Sequence, residues 1–156
     1  MDTQTIELLG RNRLMSELLH AGLEVAQPAR DRGIDLIAYV DLESKVKSFV
    51  ACPIQMKAAS TKAFSLNQKY MRISNLILAY VWGLKNPEEA VTYALTYQEA
   101  LAIATSMGWT KTASWAKGAY STSSPGKEIC ELLEPHRMTS EAWWKKVAGT
   151  TEDLEK

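Results

Sequence analysis

The chain lacks any apolar run close to the roughly 20 residues that span a bilayer. Its longest, "NLILAYVWGL", has the length of a buried strand, so no membrane partner is expected. The opening "MDTQTIELLG" lacks a basic stretch followed by an apolar one, which argues against a secretory leader. Cysteine is scarce: Cys52 and Cys130 lie far apart at no metal-ligand spacing, and a reduced, cytoplasmic chain is expected. Two isolated histidines, His20 and His136, exclude a zinc site or a catalytic triad built on them. Repeats, low-complexity tracts, a P-loop and a Gly-rich dinucleotide fingerprint are all missing. The formal net charge is zero, so the molecule as a whole makes no case for nucleic acid.

What is present is the composition of a globular protein, 46% hydrophobic and 23% charged over 156 residues. That length suits a single domain over 1–150, with a core at about 5–108, a helical extension at about 109–148 and a flexible acidic tail at 149–156. The charge is unevenly spread. Between Ser44 and Pro87 stand seven basic residues (Lys45, Lys47, Lys57, Lys62, Lys69, Arg72 and Lys85) and no acidic one. Such a block either makes a local positive surface or forms a solvated face with partners elsewhere in the fold.

Residues 4–21 read as a helix stopped by Gly22, with Leu8, Leu14, Met15, Leu18 and Leu19 on one broad face. Arg11 falls within that face and Glu7 at its edge, in the favourable i, i+4 order for an ion pair. A charged pair there is either a snorkelling arginine with its carboxylate or a helix edge overlooking a polar site. "LEVAQP", "IDLIAYVDL" and "VKSFVACPIQMKA" read as three strands joined by short polar turns, an antiparallel meander. "ASTKAFSLNQKYMRISN" reads as a loop and short helix, "LILAYVWGL" and "VTYALT" as strands, and "YQEALAIATSMG" as a helix ended by Gly108. The remainder reads as loops and two short helices, the first starting near Ser124-Pro125 and the second capped by Thr139 or Ser140. The class is α/β.

Strand alternation sets Asp35, Ile37 and Tyr39 on one side of the second strand. On the third, Pro53, Gln55 and Lys57 share a side opposite the uniformly apolar Cys52, Ile54, Met56 and Ala58. In a hairpin the start of one strand lies beside the end of the next, so Asp35 should meet Gln55 and Lys57. A carboxylate, an amide oxygen and an ammonium together suit a divalent cation, since Mg²⁺ accepts one or two protein ligands plus water and phosphate. The lysine would then stabilise charge developing on phosphate. The alternative is an Asp35–Lys57 ion pair at a sheet end, with Gln55 bonded to backbone.

The order helix, "GIDLIAY", hairpin, "IQMK" resembles the PD-(D/E)XK nuclease superfamily, in its archaeal-resolvase-like and homing-endonuclease-like branch. The resemblance covers roughly residues 5–85. It implies a restriction-endonuclease-like αβββαβ core with a mixed sheet, followed here by extra C-terminal helices. It further implies Mg²⁺- or Mn²⁺-dependent hydrolysis of DNA, on branched or otherwise structured substrates, by a homodimer or higher homo-oligomer. Asp35 matches the strand aspartate and main metal ligand, Gln55 the acidic position and second ligand, and Lys57 the lysine. Many members carry a glutamate on the first helix, for which Glu7 is preferred over Glu17. Glutamine at the acidic position occurs in some members and should lower metal affinity. On the same resemblance, Lys45, Lys47, Lys62, Lys69 and Arg72 would neutralise DNA phosphates. The second implied possibility is a non-catalytic nucleic-acid- or protein-binding member, such as an immunity or regulatory partner.

Asp31 is either a turn residue or the site's second carboxylate. Gln68 and Tyr70 either position substrate or lie on a helix surface. Trp143 and Trp144 are adjacent and cannot share one pocket, so one should pack while the other meets a partner.

Overall fold

A computed structural model describes residues 1–41, 43 and 49–152. Lys45 and Lys47 therefore lie outside the described residues.

Helix α1 (Thr3–His20) begins where Asp2 accepts the Thr5 N–H at 2.8 Å, leaving one fewer orphan donor. Its buried stripe is Gly10, Leu14 and Leu18. The broad leucine face expected from the sequence is corrected: Leu8 and Leu19 are 55% and 52% exposed. The helix meets the sheet along a narrow ridge of four-residue steps, and at about 100° per residue Leu8 and Leu19 lie more than a quarter-turn round from its middle, facing away from the sheet.

Strands β1 (Glu24–Ala26), β2 (Leu36–Tyr39) and β3 (Ala51–Ala58) form the antiparallel meander read from the sequence, with Ala26 opposite Ile37 and Leu36 opposite Ile54. The segment after β3 departs from expectation. It holds β4 (Phe64–Asn67) and a 3₁₀ turn over Gln68–Arg72 where a loop and short helix were expected. "FSLN" alternates, burying Phe64 and Leu66, and pairs antiparallel with β7 (Ala119–Thr122), a strand in a stretch expected to be loop. Strand β5 (Ile77–Trp82) then runs parallel to β3, and β6 (Val91–Thr96) returns antiparallel, giving a sheet ordered β1-β2-β3-β5-β6. All of β5 is buried, as suits a central strand covered on both faces.

Helix α2 (Tyr97–Ser106) starts with a reciprocal capping box between Thr96 and Glu99. Helices α3 (Ala113–Ala116), α4 (Lys127–Leu133) and α5 (Ser140–Glu152) follow; Thr139 caps α5 through the Ala142 N–H at 3.1 Å. Because α5 runs to Glu152, the start of the expected tail is helical. Among the described residues the chain is thus mixed α/β, with five α-helices, a mixed five-stranded sheet and a second two-stranded sheet.

Two cores flank the large sheet. Leu14 and Leu18 of α1 and Trp143 and Val147 of α5 pack on Leu36, Ala38, Ile54, Ala79 and Val81, with Trp144 half-buried at the margin. On the other face, β4, α2 and α4 cover only the β5–β6 half, through Phe64, Leu66, Ile103, Ile129 and Leu133. The far half is less covered, with Ile37, Tyr39 and Pro53 half-buried and Phe49 56% exposed. The end of β3 lies where that covering stops.

Candidate active site

The meander register brings Asp35, just ahead of β2, alongside the end of β3. Its N–H donates to the Ile54 carbonyl at 2.9 Å, and its Oδ2 accepts the Met56 N–H at 2.7 Å. The carboxylate so replaces a strand carbonyl where the ladder ends. Among the described residues Oδ1 bonds to nothing further. Gln55 is only 8% exposed. Its Nε2 reaches the Met56 carbonyl at 3.4 Å, while its Oε1 is buried with no hydrogen-bond partner among the described residues. Buried acceptors are almost always satisfied, and an orphan costs about 1–3 kcal/mol. Lys57, on the same side of β3, reaches the Tyr70 hydroxyl at 3.4 Å and lies 5.5 Å from the centre of its ring. The ion pair that would have joined Asp35 directly to Lys57 is not found among the described residues.

Asp35, Gln55 and Lys57 line one cleft of about 470 Å³, together with Glu7, Arg11 and Asp31. Burial pushes the Asp35 carboxyl above its ordinary value, and the nearby Asp31 charge adds to that. The Met56 N–H, Arg11 and Lys57 act against it. The Arg11 Nε is buried without a hydrogen-bond partner among the described residues, and Arg11 and Glu7 both line the cleft, so of the two readings for this pair the helix edge overlooking a polar site is the one the geometry fits.

Gly10 sets how closely α1 overhangs the site. A Cβ at this position would stand 2.8 Å from the Ala58 Cβ and 3.2 Å from the Met56 Sδ. Only glycine lets the helix backbone ride on the end of β3, which holds Glu7 and Arg11 over the cleft. Glu7 is exposed at the rim. Glu17 belongs elsewhere: its carboxylate accepts the Thr92 hydroxyl at 2.9 Å and the Trp143 indole N–H at 3.3 Å, beside the Arg13 Nε at 3.2 Å.

Of the cations predicted to contact phosphate, Lys62 stands at the rim of the cleft. Lys69 and Arg72 are exposed on the 3₁₀ turn, with Lys69 over the Tyr70 ring at 5.3 Å. Gln68 is committed to structure, donating to the Trp115 carbonyl at 2.6 Å. Tyr70 is buried and holds the catalytic-candidate lysine, a role for which its place shortly after "IQMK" was the available signal. Ser60, Thr61 and Ser123 also line the cleft. Ser123 arrives through the β4–β7 pairing, and no local pattern could have announced it.

Among the described residues no group of three or more His, Cys, Asp and Glu side chains is placed to hold a metal ion. A site for a hard cation here would therefore draw on few protein oxygens: Asp35 Oδ1 and the orphaned Gln55 Oε1, with Asp31 and Glu7 at its margin. No family model, curated protein or solved structure matches the chain. No described helix is long and apolar enough to cross a membrane.

Proposed function

We propose that the protein is a divalent-metal-dependent DNA endonuclease of the PD-(D/E)XK type, with a Gln-X-Lys variant of the motif. The observation that carries this reading is the buried, partnerless Gln55 Oε1 in a polar cleft that also holds Asp35 and Lys57. An unsatisfied acceptor beside a carboxylate is what a bound cation answers. The mixed sheet, with an antiparallel β2–β3 pair and a parallel β3–β5 pair, is compatible with the restriction-endonuclease-like core. The crossover between β3 and β5 differs from that core, since β4 and a 3₁₀ turn stand in place of an α-helix.

On this reading Asp35 and Gln55 hold Mg²⁺ or Mn²⁺. The ion would acidify a water and offset charge on the scissile phosphate. Lys57, steadied by Tyr70, places its ammonium against the phosphate oxygens where negative charge builds. Arg11 and Lys62 add positive charge around the cleft, and Lys69 and Arg72 lie outside it as candidate backbone contacts. Cutting both strands of a duplex would take two such centres, and so a homodimer or higher homo-oligomer.

Purified protein incubated with supercoiled, linear, single-stranded and branched DNA plus Mg²⁺ or Mn²⁺ tests this directly. Cleavage is expected, abolished by EDTA and reduced about 10²–10⁴-fold by Asp35→Ala and by Lys57→Ala. An inert wild type, or variants that cut as well as it does, ends the proposal.

One observation favours a second reading. The Asp35 carboxylate already closes the β-ladder, and Lys57 already has Tyr70. The same cleft would then belong to a non-catalytic nucleic-acid- or protein-binding module. Titration calorimetry separates the two: the nuclease reading requires Mg²⁺ binding that disappears in Asp35→Asn, and the module requires none.

A further inference from the structure

A second, larger cavity of about 930 Å³ adjoins the first, and Ser60, Thr61, Lys62 and Ser123 line both. It is a preformed groove. Gly83 N donates to Thr61 O at 2.8 Å and Lys85 N to Ser60 O at 3.0 Å, fastening the turn after β5 to the segment after β3. Gly83 is left-handed (φ 77°), and a Cβ on it would lie 2.8 Å from the Glu89 carbonyl oxygen, so the turn is held tight.

The groove is cationic on balance. Lys62, Lys85 and Arg137 line it against a single carboxylate, Glu89. Arg137 does meet Glu134 at 3.7 Å, but both are more than half exposed, and such a pair is weakly held. The exposed hydroxyls of Thr61 and Ser123 supply uncharged donors of the kind that bond to phosphate and sugar. At about 930 Å³ the groove has the size of a small-molecule pocket, which admits a few nucleotides of one strand and not a duplex.

We propose that this groove holds the single-stranded continuation of the DNA chain whose scissile phosphate sits at Lys57, with Lys62 at the junction. The position of the scissile phosphate rests on the nuclease reading; the strand-binding role of Lys85 and Arg137 has its own readout. Lys85 and Arg137 are exposed, and Arg137 gives up only its loose pair with Glu134 and a bond to the Tyr93 side chain, so Lys85→Ala/Arg137→Ala should keep the fold, which far-UV circular dichroism checks.

The test is fluorescence anisotropy in EDTA, with a labelled single strand of about 15 nucleotides, long enough for one strand-binding site, and a blunt duplex of the same sequence. The double variant should bind the single strand about tenfold more weakly at about 0.1 M salt. Its slope of log affinity against log salt should be shallower by about 0.7 for each phosphate it no longer neutralises. The duplex should be affected less. An unchanged affinity and slope, an equal weakening on both probes, or no binding by wild type would overturn the inference. Cleavage by Lys57→Ala distinguishes the two claims. If Lys57→Ala stops cutting while the groove variant binds fully, the groove assignment is wrong and the active site stands. If Lys57→Ala cuts normally while the groove variant loses the strand, the groove stands and the active site is wrong.

Discussion

Two carboxylates in this protein, Asp35 and Glu17, are both pushed above their ordinary values by burial, and they differ in who answers them. Glu17 is saturated. Thr92 and Trp143 donate to it and Arg13 lies beside it, so one side chain ties α1 to β6 and to α5. Asp35 accepts one backbone N–H and shares its cleft with Gln55, whose buried amide oxygen nothing among the described residues satisfies. A raised carboxyl by itself therefore does not mark a functional site, because an internal tie carries the same signature. The unmet group is an acceptor at one site and a donor at the other: Gln55 Oε1 invites a cation, whereas the Nε of Arg13, beside Glu17 but without a hydrogen bond among the described residues, does not.

Cleavage rates would overturn this contrast most readily. Asp35→Ala should cost about two to four orders of magnitude in rate. Glu17→Gln should leave the rate per folded molecule unchanged. Equal losses in both would make Asp35 another structural tie. Stability should reverse the ranking. Glu17→Ala leaves the Thr92 hydroxyl and the Trp143 indole without their acceptor and Arg13 without its ion pair, though Arg13 keeps the Ala90 carbonyl, and about 3 kcal/mol should go. Urea unfolding of Glu17→Ala beside Asp35→Asn measures this. If Asp35→Asn is the more damaging of the two, the assignment of roles is inverted.

Much of this was readable from the chain, and the reason is periodicity. Period-two alternation set the face of β3 that carries Gln55 and Lys57, and hairpin geometry brought Asp35 to them. What failed was non-local. The face of α1 came out too broad because a helix wheel counts leucines and cannot see that Gly10 lies against Ala58. The pairing of β4 with β7 joins Phe64 to Thr122 across a long stretch of chain, and "FSLN" is too short to announce itself. That pairing brings Ser123 to the cleft and builds the wall shared with the larger groove.

Gly10 tests the same contrast from the helix that carries Glu17 at one end and overhangs Asp35 at the other. Gly10→Ala must push α1 off β3, because the new Cβ would meet the Ala58 Cβ at 2.8 Å and neither atom can rotate away. The higher helix propensity of alanine offsets only about 1 kcal/mol of that. A net destabilisation of about 2 kcal/mol is expected from thermal unfolding, within the usual range for an overpacked site. Cleavage should fall as well, since Glu7 and Arg11 move with the helix. Unchanged stability would show that the helix is not held where its closest approach suggests.

The smallest effect is the pH dependence of Asp35. Its carboxyl is raised in the folded protein, so the folded state takes up a proton at higher pH than the unfolded chain does. The stabilising contribution is thus fully present below the ordinary aspartate value of 3.8 and is lost as pH rises through the folded value. At neutral pH the ionised, partly desolvated carboxylate is a burden. Asp35→Asn, whose amide oxygen can still accept the Met56 N–H, should relieve it. The gain should stay below about 1 kcal/mol, because the group is only half-buried and solvent screens it. Urea midpoints of wild type and Asp35→Asn should therefore separate at about pH 7 in favour of the variant and converge as pH falls towards 3.8. A residue that gains stability when neutralised yet loses cleavage is kept for its chemistry. If Asp35→Asn is instead less stable at neutral pH, the attraction of its charge to Arg11 and Lys57 is the reason the aspartate is there, and the binding-module reading gains.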